Sequence, residues 1–192
     1  MKDLPHSKPQ LRRHMRARRQ ALSAAARDDA ALKVARHVEG VPGWQAAVKV
    51  AVYLAADGEV DPTIVASSLR ANDKTPYLPV IQDDQSLRFA AWDAGSRLSD
   101  NRYGIPEPDG ENLPAETMDI ILLPLVAWDT AGNRLGMGGG FYDRTLAADE
   151  KVLTVGLGFE LQKVGRLPAE PWDVRLDFIA TECALHNCQD FS

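Results

Sequence analysis

The spacing of apolar residues changes along this chain, and each change marks an element. Leu11, Met15 and Leu22 form a loose apolar stripe through a basic segment, and Ser7 with Pro9 and Gln10 behind it resembles a helix start. A second helix opens at Ser23 and runs through AAARDDAALKVARHV. VKVAVYLA, Val48 to Ala55, is almost continuously apolar and predicts a buried strand, after which Asp61-Pro62 supplies an N-cap and a first-turn proline for a helix through IVASSLR. TPYLPVI, LRFAAW and MDIILLPLVAW, the last ending at Trp128, predict further strands. FYDRTLAADE predicts a short helix and KVLTVGLGF a returning strand, which completes a βαβ unit. PEPDGENLPAE, from Pro106 to Glu116, is rich in loop formers and acid and reads as an internal surface loop. The alternation predicts an α/β fold: a three-layer sandwich with a largely parallel sheet, with ligands at the carboxyl ends of its strands. Residues 1–192 are expected to form one domain.

Composition narrows the function classes. A chain of 192 residues with 45% hydrophobic content can bury one sizeable core, and its net charge of -5 opposes nucleic acid and anionic membranes as general partners. No run approaches the roughly 18 apolar residues needed to span a bilayer, and MKDLPHSKPQ lacks the apolar core of a secretory signal, so a cytoplasmic location is expected. Cys183 and Cys188 are too few for a disulfide framework. With His186 they offer a C-x-x-H-x-C pattern, one ligand short of the four a structural zinc site uses.

The densest chemistry lies in NRLGMGGGFYDR, Asn133 to Arg144. Gly136, Gly138, Gly139 and Gly140 expose consecutive backbone N–H groups, and the following helix start adds positive potential, a combination suited to phosphate. The stretch is neither a P-loop, because no GK[ST] follows, nor GxGxxG, because Phe141 holds the third glycine position. A glycine-rich turn joining strand to helix is the plain alternative. Arg134 before the glycines and Asp143 after them tilt the reading toward a nucleotide, since they supply a fork for phosphate oxygens and a carboxylate for magnesium. Lys8, Arg12, Arg13, Arg16, Arg18 and Arg19 form a basic run open to three readings: a solvated helix face, an RNA-binding arm, or a lid over polyphosphate. It holds no aromatic residue for base stacking. Glu59, in LAADGEVDP, lies between a strand and a capped helix and is either a turn acid or a site residue.

Together with LLPLVAWDTAG before it, NRLGMGGGFYDR resembles the signature of the 5-formyltetrahydrofolate cyclo-ligase family. KPQLR, YLAADGEVD, GIPEP, FELQ and PWDVRLDFIATE follow that family's order along nearly the whole chain. The resemblance implies a fold related to sugar-phosphate isomerases and CoA transferases. It also implies a reaction in which ATP phosphorylates the formyl oxygen of 5-formyltetrahydrofolate, N10 attacks the activated carbon, and 5,10-methenyltetrahydrofolate forms with ADP and phosphate. Lys8, Pro9, Gln10, Leu11 and Arg12 match the N-terminal ATP contact, with the rest of the basic run left solvated. Arg134, Leu135, Gly136, Met137, Gly138, Gly139, Gly140, Phe141 and Tyr142 match the ATP loop, with Met137 to Phe141 also touching folate. Leu54 and Glu59 match substrate positions, Arg134 and Tyr142 the catalytic ones, and Asp143 and Asp173 the magnesium acids. Some members carry cations where this chain has Met137 and Gly139, and tyrosine where it has Phe141, so the backbone, Arg134 and the metal must bind more of the phosphate. A monomer acting on folate, with or without a polyglutamate tail, is the implied form. An isomerase or CoA transferase that does not use ATP, and a nucleic-acid-binding module, are the alternatives.

Overall fold

A computed structural model describes residues 7–147 and 152–189. Its first two helices, α1 (Lys8–Gln20) and α2 (Ala24–Val38), start where their caps predict: the Ser7 hydroxyl accepts from the Gln10 amide at 3.4 Å and the Ser23 hydroxyl from the Ala26 amide at 3.2 Å. The long apolar run then pairs over β1 (Lys49–Ala51), with one further bond from the Val52 amide to the Tyr77 carbonyl at 2.8 Å, before turning away toward Glu59. Helix α3 (Thr63–Ala71) begins one residue later than its Asp61-Pro62 start suggests, with the Asp61 carboxylate accepting from the amide and hydroxyl of Thr63.

The remaining elements complete a mixed sheet. β2 (Thr75–Ile81) and β3 (Leu87–Ala91) form an antiparallel pair, and β7 (Ile120–Pro124), β10 (Leu153–Leu157) and β11 (Phe178–Ala180) supply parallel strands. The segment expected to be a loop from Pro106 to Glu116 contributes strands instead. β5 (Pro106–Pro108) pairs with β4 (Leu98–Asp100), and β6 (Asn112–Leu113) adds to the edge at β3. The open edge of β3 accepts even this polar segment, because its backbone groups need partners more than its side chains need burial. With β12 (Leu185–Asn187) antiparallel at the other edge, the order is β12-β11-β10-β7-β1-β2-β3-β6. The five central strands, β11 to β2, are mutually parallel, which bears out the α/β sandwich with a largely parallel sheet.

Strand alternation explains why the central strands are apolar throughout. Val50, Ile120, Leu122, Phe178 and Ala180 face a core shared with α2 and α3, whereas Ala51, Ile121, Leu123 and Ile179 face a second core with Leu146, Val152 and Leu176. Leu146 belongs to α4 (Phe141–Leu146), the short helix before β10. Past β7 the chain leaves the sheet into a hairpin of β8 (Ala127–Trp128) and β9 (Arg134–Leu135). Leu11 and Met15 of α1 pack on that hairpin through Val126, Ala127, Leu135, Val164 and Leu167, a third and smaller core. That packing lays α1 across the carboxyl ends of β1 and β7. Among the described residues no helix is long and apolar enough to cross a membrane.

Candidate functional site

The N-terminal half of α1 meets the glycine loop. Arg12 donates from Nε to the Gly136 carbonyl at 2.8 Å, and its guanidinium carbon would lie 3.5 Å from a Cβ placed on Gly138. Lys8, one turn earlier, donates to Asp173 Oδ2 at 2.9 Å and lies 3.8 Å from Glu170 Oε1. Pro9 and Gln10 are exposed on the same end of the helix, while Leu11 and Leu135 are buried in the third core, so any ligand contact of theirs is through main-chain atoms.

The loop itself is held open by backbone geometry. Gly140 adopts a left-handed φ of 68° just before α4, which favours glycine there, and a Cβ on Gly139 would stand 2.5 Å from the Phe141 ring, so a side chain at that position must displace the ring. The Phe141 ring is in turn held edge-on to Tyr103, with centroids 6.0 Å apart. The amides of Met137, Gly138, Gly139 and Gly140 donate to no described residue, and the Met137 side chain is half exposed. Helix α4 is only six residues long, so the dipole expected behind the glycines is slight and the free amides themselves are the anion-binding feature.

Arg134 closes the far side of the loop. Its side chain is 5% exposed, Nη2 donates to Asp143 Oδ1 at 2.8 Å, and its buried Nε has no partner among the described residues. Asp143 Oδ1 also accepts from the Val174 amide at 3.2 Å, which brings the Trp172–Val174 segment against α4. Burial opposes ionisation of Asp173, but the Glu170 amide and the Lys8 ammonium outweigh it, with Arg134 adding to them, and hold that carboxyl below its usual range. Of the two acids expected to hold magnesium, Asp143 is in contact with Arg134 and Asp173 with Lys8. Among the described residues no three acidic, histidine or cysteine side chains converge as ligands.

The C-terminal half of α1 overturns the expectation of a solvated remainder. Arg13 and Arg18 are exposed, but Arg19 is completely buried, and Arg16 donates to Asp57 Oδ2 at 2.6 Å. Arg19 falls four residues after Met15 and eight after Leu11, so helical periodicity turns it inward with them. That spacing was the available signal. Its guanidinium donates to the Asp57 carboxylate at 2.7 Å and to the Asp57 and Leu125 carbonyls at 3.0 and 3.3 Å. Glu59 Oε1 lies 3.8 Å from the same guanidinium. Burial raises the Glu59 pKa, with the Ala56 amide, at 3.1 Å from Oε2, and Arg19 offsetting only part of the effect. Leu54 packs half-buried against the larger core, and Tyr53 is tied through its hydroxyl to the Val60 carbonyl at 2.6 Å.

Tyr142 lies between the two halves, 5.8 Å from the Arg134 guanidinium carbon to its ring centre, and Glu59 acts electrostatically on its hydroxyl. Burial raises its pKa well above the ordinary phenol value despite Arg134, so it remains a neutral phenol, able to donate a hydrogen bond but not to serve as a base. Arg144, which the sequence reading left without a role, donates to the Gln85 carbonyl at 2.8 Å and reaches the Gly139 carbonyl at 3.5 Å. Free amides flanked by arginines suit a polyphosphate, and a buried carboxyl next to a neutral phenol suits a polar heterocycle.

Known proteins resemble this chain in sequence and fold. The model of the 5-formyltetrahydrofolate cyclo-ligase family matches residues 5–182. The 5-formyltetrahydrofolate cyclo-ligase of Haemophilus influenzae is 38% identical over 174 residues, covering 87% of this chain and 93% of that protein. Its Escherichia coli K12 counterpart is 37% identical, covering 87% and 96%. Among solved structures, the 5,10-methenyltetrahydrofolate synthetase of Aquifex aeolicus superposes with a TM-score of 0.84 at 32% identity, covering 96% of this chain and 94% of that one. The Mycoplasma pneumoniae synthetase shares the fold at a TM-score of 0.76 and 24% identity, covering 92% of this chain and 99% of its own.

Proposed function

The chain belongs to the 5-formyltetrahydrofolate cyclo-ligase family, and from that premise we propose that it converts 5-formyltetrahydrofolate and ATP to 5,10-methenyltetrahydrofolate, ADP and phosphate. The observation that carries the site assignment is the run of four amides, Met137 to Gly140, that donate to no described residue and lie between Arg12 on one side and Arg134 on the other.

The chemical difficulty is the leaving group. An N5-formyl group is an amide, and closing N10 onto its carbon requires the loss of oxygen. Transfer of the γ-phosphoryl group to the formyl oxygen breaks the bond to the ADP oxygen and turns a poor leaving group into phosphate. N10 then attacks the formyl carbon, the C–O bond breaks toward phosphate, and the N10 proton is lost. No covalent nucleophile of the protein is required. What the protein must provide is alignment and stabilisation of charge on the transferring group.

Each residue takes a part in that division. Lys8 and Arg12 fix the nucleotide end, the loop amides cradle phosphate oxygens, and the Arg134 guanidinium, whose Nε has no partner among the described residues, stabilises developing charge. Tyr142 donates a hydrogen bond as a neutral phenol, while Glu59, Leu54 and the Met137–Phe141 face of the loop hold the folate. Asp143 and Asp173 fit a magnesium ion delivered on the triphosphate. Such an ion draws most of its ligands from phosphate and water and needs only one or two carboxylate oxygens, and Asp143 Oδ2 accepts no hydrogen bond from a described residue. Bound there, the metal supplies charge neutralisation. The reading extends to the whole chain as one domain, acting as a monomer in the cytoplasm on folates with or without polyglutamate tails. Four of the six cations of the basic run, Lys8, Arg12, Arg16 and Arg19, are engaged internally, which argues against an RNA-binding arm. The test is incubation with 5-formyltetrahydrofolate and Mg-ATP while following the methenyl chromophore. Its appearance only when ATP is present is expected; product without ATP, or none with it, overturns the proposal.

A further inference from the structure

The turn that carries Glu59 is held in an unusual conformation. Ala56 to Glu59 close through the Glu59 amide and the Ala56 carbonyl at 3.0 Å, and both central residues are left-handed, Asp57 at φ 54° and Gly58 at φ 76°. A non-glycine residue at such a φ persists only where its surroundings hold it. Here the holder is the last turn of α1. Arg16, Arg19 and Gln20 all reach the Asp57 carboxylate, and Arg19 also takes the Asp57 main-chain carbonyl. Its other arm reaches the Leu125 carbonyl at 3.3 Å, beyond the end of β7, so one buried guanidinium ties the turn after β1 to the strand beside it.

We propose that Arg19 is a positioning residue for Glu59: by clamping Asp57 and lying 3.8 Å from the Glu59 carboxylate, it fixes that carboxylate toward the folate. Because α1 also carries Arg12 to the glycine loop and Lys8 to Asp173, one helix sets the separation between the nucleotide end of the site and the folate end. The inference rests on the reading of Glu59 as a substrate contact.

Arg19 also acts on Glu59 through its charge. The groups facing this carboxylate are Arg16 and Arg19 from α1, Asp57 from its own turn, Tyr53 from the end of β1 and Tyr142 from α4. Of the two cations, Arg19 is the one wholly withdrawn from solvent. Without it, burial acts on Glu59 with less opposition, and the carboxylate form retreats to higher pH.

The experiment compares Arg19→Met, Asp57→Asn and Glu59→Gln, with Arg18→Met as the exposed neighbour. Apparent KM for 5-formyltetrahydrofolate and for ATP are measured separately, and kcat/KM for the folate is followed against pH. Arg19→Met is expected to raise the folate KM by about tenfold or more, the scale of one lost charged contact. The ATP KM should change by less than about threefold, and the acid limb should move to higher pH. Asp57→Asn keeps the side-chain shape and tolerates the left-handed backbone, so it tests the clamp even if Arg19→Met fails to fold; it should raise the folate KM in the same selective way. Arg18→Met should behave as wild type. Equal rises in both KM values, or a folate KM unmoved in both clamp variants while Glu59→Gln raises it, overturn the positioning role. A folate KM and acid limb unchanged in Glu59→Gln instead overturn the underlying assignment of Glu59.

Discussion

Replacing Arg134 with methionine separates the two functions of that side chain. Methionine keeps much of the buried aliphatic volume and removes the guanidinium, which leaves Asp143 with the Val174 amide at 3.2 Å as its remaining donor. Stranding one member of a fully buried ion pair costs about 3–5 kcal/mol, whereas an exposed pair contributes about 0–1. Asp143 is 23% exposed while Arg134 is 5% exposed, so water can reach the stranded carboxylate. A loss of about 1–2 kcal/mol follows, and for a chain of this size that lowers Tm by roughly 2–8 °C. The catalytic loss should be larger. A charge-assisted hydrogen bond to phosphate contributes about 1.5–3 kcal/mol, or roughly 10–150-fold in kcat/KM for ATP. Thermal unfolding and the methenyl absorbance under ATP titration measure the two effects on one preparation. A Tm lowered as described with kcat/KM within about twofold of wild type would mean that Arg134 only braces Asp143, and the phosphate role would have to be abandoned.

Replacing Lys8 and Arg12 together with alanine should raise the ATP KM by roughly tenfold or more, while the exposed pair Arg13 and Arg18 should change it by less than about twofold; equal effects would indicate diffuse electrostatics. Asp143→Asn should keep the fold and lose most activity, with excess magnesium restoring part of it. A variant that merely lost about 0.3–1 kcal/mol of helix stability and turned over normally at limiting magnesium would identify a capping acid. Gly139→Ala brings a Cβ to 2.5 Å from the Phe141 ring, so the ring must swing away; both KM values should rise with little change in Tm, and wild-type kinetics would remove the loop from the site. Because burial raises the Glu59 pKa, kcat/KM for the folate should fall as pH drops through a value above the usual carboxylate range. The linked stability has the opposite sense, fully present below the unfolded pKa and lost as pH rises through the folded one. An identical acid limb in Glu59→Gln would assign that titration to another group.

Much of the scaffold was legible because its determinants are local. Ser7 and Ser23 cap helices through groups three residues away, the apolar runs of β1 and β7 reflect burial on both faces, and the glycine loop announces itself by what it lacks. Where a choice depended on distant partners, local reading failed. Pro106 to Glu116 has the composition of a loop, but an open sheet edge at β3 and the strand β4 recruited its backbone into pairs.

The sequence by itself determined the alternation of strands and helices, the bare backbone of the glycine loop, and the chemical types gathered around it, since these depend on residue identity and on neighbours within a few positions. Tertiary structure alone decided which charges face a ligand and which face the protein. Arg18 and Arg19 are adjacent and alike in sequence, yet one is solvated and the other is completely buried on Asp57 and Leu125. Likewise Lys8 meets Asp173 across 165 residues, and Arg134 pairs with the acid expected to hold the metal. A long cation can extend into solvent or fold back onto buried carbonyls and carboxylates. The choice between them is set by acceptors that only the folded chain brings within reach, because burying the charge is tolerable only where those acceptors replace water.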